Sequence, residues 1–599
     1  MSRISTNIPR TTTMQSMNTL LSNLRRTQKN LFDAQNQVQT GLLVAKPSDA
    51  PSKTSAILLL QATLEARAQQ KLNLAYASSI MANVDHALAD TTDILQEAQS
   101  IGSSQIGIGS SSDTRKNQAT VIDGQITALV DIANRQHQGV SLFGGNFTPG
   151  APGSLTGDRL FVFDSQLGGV RYSGTIENLK GDLGFDEPVG INSNGHEAFT
   201  AMSARVVGDR DLDPLATANT RLEDLNGARG LGVTTGALEL TVNGVMTSVD
   251  LTTAQTMGDV MTRLNDAINQ LDPAAGALSI TAQGFTLTAS AGYTISMNDT
   301  LTGTTAADLG LAISAAGASV AGGDVDPRLS LFTSLTALGV SVDTAGGLKV
   351  SQGGLTKTLD LTGATTVQDL INRMTALDMG LRMGISPDGS GLQLISEISG
   401  PAFSIGEVAG GTTATDLGIR SFSRSTTLDE LNFGIGIHRT AGEDDFRVSL
   451  HDGSSFDVNL DGAISIGDVI DKVRNAAEIA LGAGNVGSPG DAGTLFNIGL
   501  ALDGNGLAFE DGTAGGQNFR ISALGTSLAA SDLGILKDVS SGSNLVGDDV
   551  AKVRVEGVFT HMINLRDALV KDDSRGITLA TAALGEDVSR RLGFMRMSG

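Results

Sequence analysis

Residues 17–40, MNTLLSNLRRTQKNLFDAQNQVQT, decide how the rest of the chain is read. Met17, Leu24, Leu31 and Val38 recur at intervals of seven, with Leu20 and Ala34 at the intervening +3 positions. That spacing lines one side of a helix with apolar groups, and the stripe asks for a partner, in a coiled coil or in a bundle. The pattern stops at Gly41, and Pro47 and Pro51 forbid a continuous helix there. A second helix is expected from about Thr54 to Ser100, with Ile57, Leu60, Leu64, Ile80, Val84, Leu88 and Leu95 on its apolar face. A third should run from about Asp113 to Gln138 through Ile122, Ile126, Leu129 and Ala133. At the far end Phe559, Met562 and Leu569 mark one more helix, and Ile577, Leu584, Val588 and Leu592 begin another. A helical pattern split between the termini implies that the ends pair and that the Gly/Thr/Ser-rich middle is an insertion. That layout suits a subunit that polymerises through its ends.

Composition narrows the classes. The 599 residues include 74 Gly, 19 Phe, 3 Tyr, no Trp and no Cys, with 40% hydrophobic and 18% charged residues. This is not the low-hydrophobicity, high-charge signature of a disordered chain, and the length suggests about three to five domains. The absence of Cys removes disulfides, thiolate metal sites and thiol nucleophiles. No apolar run is long enough for a membrane span, and the start, MSRISTNIPRTTTMQ, has no apolar core of a cleaved signal peptide. Residues 1–150 carry 12 basic and 10 acidic groups and residues 546–599 carry 8 of each, so of the total −23 the middle holds −25. An acidic middle disfavours nucleic acid as a partner and keeps an exterior solvated. The basic Arg25, Arg26 and Lys29 read as the solvated flank of the first helix.

The middle repeats itself three times. Each unit has an alternating segment, such as Leu238-Glu239-Leu240-Thr241-Val242 or Phe446-Arg447-Val448-Ser449-Leu450, which reads as a half-buried strand. A capping box then opens a short amphipathic helix: Thr256 with Asp259, Thr366 with Asp369, and Ser465 with Asp468. Each unit closes on Asp-Leu-Gly-apolar, at Asp308-Leu309-Gly310-Leu311, Asp416-Leu417-Gly418-Ile419 and Asp532-Leu533-Gly534-Ile535. These are small α+β modules in tandem, with boundaries expected at 220–313, 331–421 and 425–537.

Thr40-Gly41 followed by Pro47-Ser48-Asp49-Ala50-Pro51 resembles the turn in the N-terminal stem of flagellin-family proteins. The Pro-Ser-Asp-x-Pro form is similar to the hook–filament junction (hook-associated protein 3) branch, where filament flagellins usually have Lys-Asp-Asp. Asn134, Leu142-Phe143-Gly144-Gly145, Val170-Arg171-Tyr172-Ser173-Gly174 and Gly195-His196-Glu197-Ala198-Phe199 match further motifs of that branch in order. The resemblance covers about residues 1–200 and 546–592. It implies a structural, non-enzymatic subunit of the bacterial flagellum, exported through the flagellar channel without a cleaved signal and located outside the cell. It also implies a homo-oligomer, with a neighbouring hook-associated protein, flagellin and an export chaperone as partners, and no nucleic acid, membrane or cofactor. Members of the family continue past the equivalent of Leu592-Gly593 into a long helix that pairs with the N-terminal one. This chain stops at Gly599, so the stripe at Met17–Val38 is expected to lack that partner.

Two chemical readings compete with the structural one. Residues 457–468, DVNLDGAISIGD, place Asp457, Asn459, Asp461, Gly462, Ser465 and Asp468 at calcium-loop positions. A strand pattern precedes them where a helix is required, and the repeat alignment makes Asp468 the capping acid. His196-Glu197 would begin a helical zinc motif, but Thr200 stands where the second His is needed. No phosphate loop, dinucleotide fingerprint or nucleophile motif is present in the sequence. The expected fold is therefore multidomain: an α-helical coiled-coil or bundle stem built from both termini, with tandem, mostly β, α+β modules inserted. Residues 1–45 form the polymerisation segment, with Met17, Leu24, Leu31 and Val38 as the assembly seam. Residues 46–200, completed by 546–599, form the stem and its β-rich extension, with Gly41, Pro47, Asp49 and Pro51 at the turn. The alternatives are a filament flagellin with enlarged outer domains and a calcium-stabilised adhesin on a flagellin-like stem.

Overall fold

The computed structural model describes residues 13–41, 51–107, 109–147, 159–185, 187–202, 205–340, 342–540 and 542–598, with backbone alone at 51, 52, 205 and 591–598. Among the described residues eight helices reach ten residues: α1 (Thr13–Thr40), α2 (Pro51–Gln105), α3 (Ser112–Ala133), α4 (Met257–Leu271), α5 (Val367–Ala376), α6 (Ile466–Leu481), α7 (Val558–Val570) and α8 (Ser574–Ser598). The chain divides into two compact units, Met1–Ala82 with Lys180–Ile191, and Asn83–Leu179 with Asn192–Gly599.

The first unit holds α1, the first part of α2 and a small hairpin pairing Lys180–Gly181 with Val189–Gly190. The Asn73 side-chain amide donates to the Asp182 carbonyl at 2.9 Å, which ties that hairpin to α2. α1 stops at Gly41, whose φ of +67° is the left-handed cap conformation that glycine takes without a Cβ clash. No residue of α1 is buried.

In the second unit α7 packs on α3 and on α8. α7 buries Val558, Phe559, Met562, Ile563, Leu565 and Leu569, a wide apolar face on which each side chain is worth about 1.5–3 kcal/mol. Two ion pairs reinforce this packing, Arg115 of α3 to Asp572 in the turn between α7 and α8 at 2.5 Å, and Arg566 of α7 to Asp123 of α3 at 3.2 Å. α3 starts on Ser111, whose hydroxyl accepts the Thr114 amide.

Each repeat of the middle builds two small sheets and one helix over a single core. In the first, strands Val245–Asp250, Ala237–Val242, Thr294–Asp299 and Ser314–Ala316 lie side by side, and Gly276–Thr281, Gly284–Ala289 and Ser319–Asp324 form the second sheet. Leu238, Leu240 and Val242 alternate inward against Met257, Val260, Leu264 and Ile268 of α4. α5 offers Val367, Leu370 and Met374 in the same way, and α6 offers Ile466, Val469, Ile470 and Val473. Pairing is antiparallel throughout the described sheets except Val486–Gly487, which runs parallel to Phe496–Asn497.

Two findings correct the expected fold. The seam Met17, Leu24, Leu31 and Val38 is exposed along its whole length, so among the described residues no coiled-coil stem from the two termini forms around it. The spacing is real, but it specifies a surface to be covered and not the element that covers it. The long helices α1, α2 and α3 come first, α7 and α8 stand near the C-terminus, and the middle is mostly β in many small antiparallel sheets. The modules are also not simple insertions, because their sheets recruit strands from outside them. Val206 and Val207 pair with Leu394 and Gln393 of the second repeat, and Ile398-Ser399 pairs with Arg171 and Val170. Val553 bridges Phe403, and Leu212 and Val555 enter the second repeat's core. A β edge accepts whichever strand satisfies its amides and carbonyls, so tandem order in sequence does not fix the boundaries.

Candidate functional site

The motif residues quoted above, scattered over 66 positions from Asn134 to Phe199, converge on one cluster. Asn134 follows the end of α3, and its amide works as a strand neighbour would. Its Nδ2 donates to the Phe161 and Val130 carbonyls at 2.7 and 2.9 Å, and its Oδ1 accepts the Leu160 and Phe161 amides at 2.9 and 3.0 Å. Only a side chain with both donor and acceptor serves all four. Tyr172 is fully buried, with Oη accepting from the Gly195 amide at 3.0 Å and lying within 3.1 Å of the Phe143 and Thr175 carbonyls. Burial pushes its phenol well above the ordinary range. A Cβ on Gly195 would sit 2.6 Å from the Tyr172 ring, so the glycine is required for that approach.

Aromatic rings close the cluster. Phe199 stands edge-on to Phe143 at 4.9 Å and to Phe161 at 5.4 Å, and Phe161 lies 4.7 Å from Tyr172. Phe559 of α7 completes it at 5.7 Å from Phe161 and 5.4 Å from Phe199. Edge-to-face and tilted pairs of this kind add about 0.5–1.5 kcal/mol beyond their area burial. The cluster is a joint between chain segments, with no open reactive group.

The seam residues lie on α1 with Val38 85% and Leu24 56% exposed, and the exposed apolar series continues at Leu58, Leu59, Leu60 and Leu64 of α2. Later in α2 the positions Ile80, Val84, Leu88 and Leu95 are buried. Of the stem turn, Gly41 caps α1 and Pro51 opens α2, while Pro47 and Asp49 lie outside the described residues.

The module caps are all at helix starts. Thr256 Oγ1 accepts the Asp259 amide while the Asp259 carboxylate takes the Gln255 and Thr256 amides. Thr366 with Asp369, and Ser465 with Asp468, repeat the geometry. The Thr365 amide, with the Thr365 hydroxyl and the Thr366 amide, holds the Asp369 carboxyl down at about 2. A second landmark, which sequence alignment passed over, runs ahead of each box: Thr220-Arg221-Leu222, Thr333-Ser334-Leu335 and Thr426-Thr427-Leu428. Each bridges the cap residue, pairing Arg221 with Thr256, Ser334 with Thr366 and Thr427 with Ser465.

The Asp of each closing Asp-Leu-Gly meets a basic side chain. Asp308, 1% exposed, meets Arg229 at 2.6 Å and the Thr234 amide, which outweigh burial and hold its carboxyl low. Asp416 faces Arg210 at 3.8 Å, and Asp532 meets His438 at 2.8 Å. The carboxylates of the calcium-like stretch are likewise occupied. Asp457 pairs with Arg447, Asp461 accepts the Gly442 amide at 2.7 Å, and Asp468 caps α6. Among the described residues no group of three or more His, Asp or Glu is placed to hold a metal ion. No described helix is long and apolar enough to cross a membrane.

One ionic cluster had no sequence signal. His561 of α7 is buried between Asp587 of α8 at 2.7 Å and Glu556 at 3.0 Å, and Glu556 also binds Arg554 at 2.6 Å. Burial alone would lower the imidazole, but the two carboxylates win and raise it to about 9. Glu556 is five residues away, but Asp587 is 26 residues on, on another helix, which spacing cannot reveal.

No family model matches the sequence, and no curated protein matches it. Among solved structures, FlgL of Xanthomonas campestris is similar at 22% identity, over 33% of this chain and 62% of that one, with a TM-score of 0.21. The flagellar hook associated protein-3 of Legionella pneumophila is similar at 18% identity, over 32% of this chain and 58% of that one, with a TM-score of 0.22. The chain therefore spans less than two thirds of the length of these solved structures.

Proposed function

We propose that this chain is a structural subunit of the bacterial flagellum that works outside the cell at the junction of hook and filament, without enzymatic activity. The observation that carries the reading is the joint around Tyr172, where Asn134, Phe143, Gly195 and Phe199, all motif residues of the junction branch, interlock with Phe559. A second support is the bare seam on α1. A helix of 28 residues with no buried side chain leaves its apolar stripe in water, and neighbouring copies of the chain are the proposed cover. Export without a cleaved signal, delivery by a chaperone, and contact with a hook-associated protein and flagellin follow from the same reading.

Labelling the chain on intact flagella and locating it by electron microscopy tests this. A narrow band at the distal end of the hook is expected. Label along the whole filament would favour the flagellin alternative, and no label on flagella would remove the reading. Leu24→Asp with Leu31→Asp should abolish incorporation, since each buried Leu is worth about 1.5–3 kcal/mol. Both residues are exposed in the isolated chain, so circular dichroism should be unchanged.

A further inference from the structure

The opening turn of the third repeat breaks the pattern of the first. Leu222-Glu223-Asp224-Leu225-Asn226-Gly227 corresponds to Leu428-Asp429-Glu430-Leu431-Asn432-Phe433. The Asn226 amide donates to the Asp326 carbonyl and the Asn432 amide to the Val550 carbonyl, so the two turns share that backbone contact. Gly227 takes a φ of +75°, which glycine adopts freely, yet Phe433 takes +62° in the same place, directly after Asn432 at +55°. An aromatic residue in left-handed backbone is strained, and the surroundings must over-determine it. They do: Asn432 Nδ2 reaches the Asp532 carbonyl at 2.8 Å, and the Arg554 guanidinium lies 4.0 Å over the Phe433 ring. The ring nonetheless remains 40% exposed, with Arg554 over one face.

Phe433 stands on the wall of a cleft of about 580 Å³ in the second unit, within the range of about 300–1,000 Å³ typical of small-molecule sites. The cleft's charges balance, with Asp209, Glu430 and Glu556 against Arg420, Lys552 and Arg554, which disfavours an ion as ligand. Several are already spoken for: Ser423 and Ser425 hydroxyls donate to Asp209, Glu430 accepts the Thr427 amide, and Arg554 binds Glu556. What the cleft offers is an aromatic face beside hydroxyls and fixed carboxylates, the combination that meets the apolar ring face and the polar rim of a sugar.

We propose that this cleft binds a neutral carbohydrate, with Phe433 as the stacking platform, Asp209 accepting through Oδ1, the oxygen that Ser423 and Ser425 leave open, and the Ser425 and Thr427 hydroxyls as further hydrogen-bonding partners. The inference does not rest on a flagellar role. Saturation-transfer NMR of the full chain with maltose, lactose and N,N′-diacetylchitobiose tests it. At least one disaccharide should receive transfer, and Phe433→Gly should abolish it while leaving the melting temperature equal or higher, because glycine relieves the strain. Ser425→Ala should weaken the same signal. Absence of transfer to all three sugars, or transfer that survives Phe433→Gly, would overturn the proposal. A lower melting temperature in Phe433→Gly would also overturn it, by showing that the ring is held for packing.

Discussion

Arg420→Met should uncouple the second and third repeats. Arg420 is 7% exposed and sits just past the closing Asp-Leu-Gly of the second repeat. It reaches into the third, donating to the Ala501 carbonyl at 2.7 Å, the Gly504 carbonyl at 3.0 Å and Asn505 Oδ1 at 3.2 Å. Asn505 returns the contact to Ser421 Oγ at 2.9 Å and to the Ile405 carbonyl at 3.0 Å. Methionine keeps most of the side chain's volume but leaves those acceptors unpaired. An orphaned buried acceptor costs about 1–3 kcal/mol, and Gly504 is partly exposed so that water can replace its bond. Removing the buried charge recovers some desolvation, which leaves a net loss of about 2–3 kcal/mol. Urea unfolding of the full chain, combined with hydrogen exchange, reads this out. The Gly504 amide, bonded to the Glu407 carbonyl at 2.7 Å, should lose protection while amides of the first repeat keep theirs. A change below about 0.5 kcal/mol with Gly504 still protected would refute the latch, since surface substitutions alone span that range.

Stability should fall at alkaline pH through His561. Its folded pKa of about 9 lies above the ordinary 6.5, so the charged imidazole contributes fully below pH 6.5 and the contribution fades as pH rises through 9. The size is on the order of 3 kcal/mol from the shift, and a melting curve that stays flat between pH 7 and 10 would exclude it. Thr366→Ala should cost about 0.5–2 kcal/mol through the lost cap, measured by thermal melting, with Thr256 and Ser465 behaving alike. Calcium should leave the melting temperature where chelator leaves it, because Asp457, Asp461 and Asp468 already have protein partners. A rise in calcium that Asp461→Ala abolishes would revive the metal reading.

The capping boxes and inward-facing strand positions can be read from sequence because their physics is local. A hydroxyl and a carboxylate three residues apart meet only at a helix start, and Leu238, Leu240 and Val242 share a face of any strand. The closing Asp-Leu-Gly is visible as a repeat but silent about chemistry, because its partner differs each time: Arg229, Arg210, then His438. Arg420, His561 and the strand at Val206-Val207 gave no signal at all. Each has a partner more than twenty residues away, and nothing in the neighbouring sequence marks that partner.

The error over the stem has the same cause. α4 and α1 both carry apolar side chains at helical spacing. On α4 the stripe Met257, Val260, Leu264 and Ile268 is buried by strands of its own repeat. On α1 the stripe Met17, Leu24, Leu31 and Val38 is bare. Periodicity measures how much apolar surface a helix presents, and the two helices differ only in whether the chain itself supplies the cover. An apolar stripe left bare in a subunit is what assembly can use, since burying it between copies yields free energy that folding has left unspent. The seam was thus legible as a demand for a partner, and among the described residues that demand is left unmet.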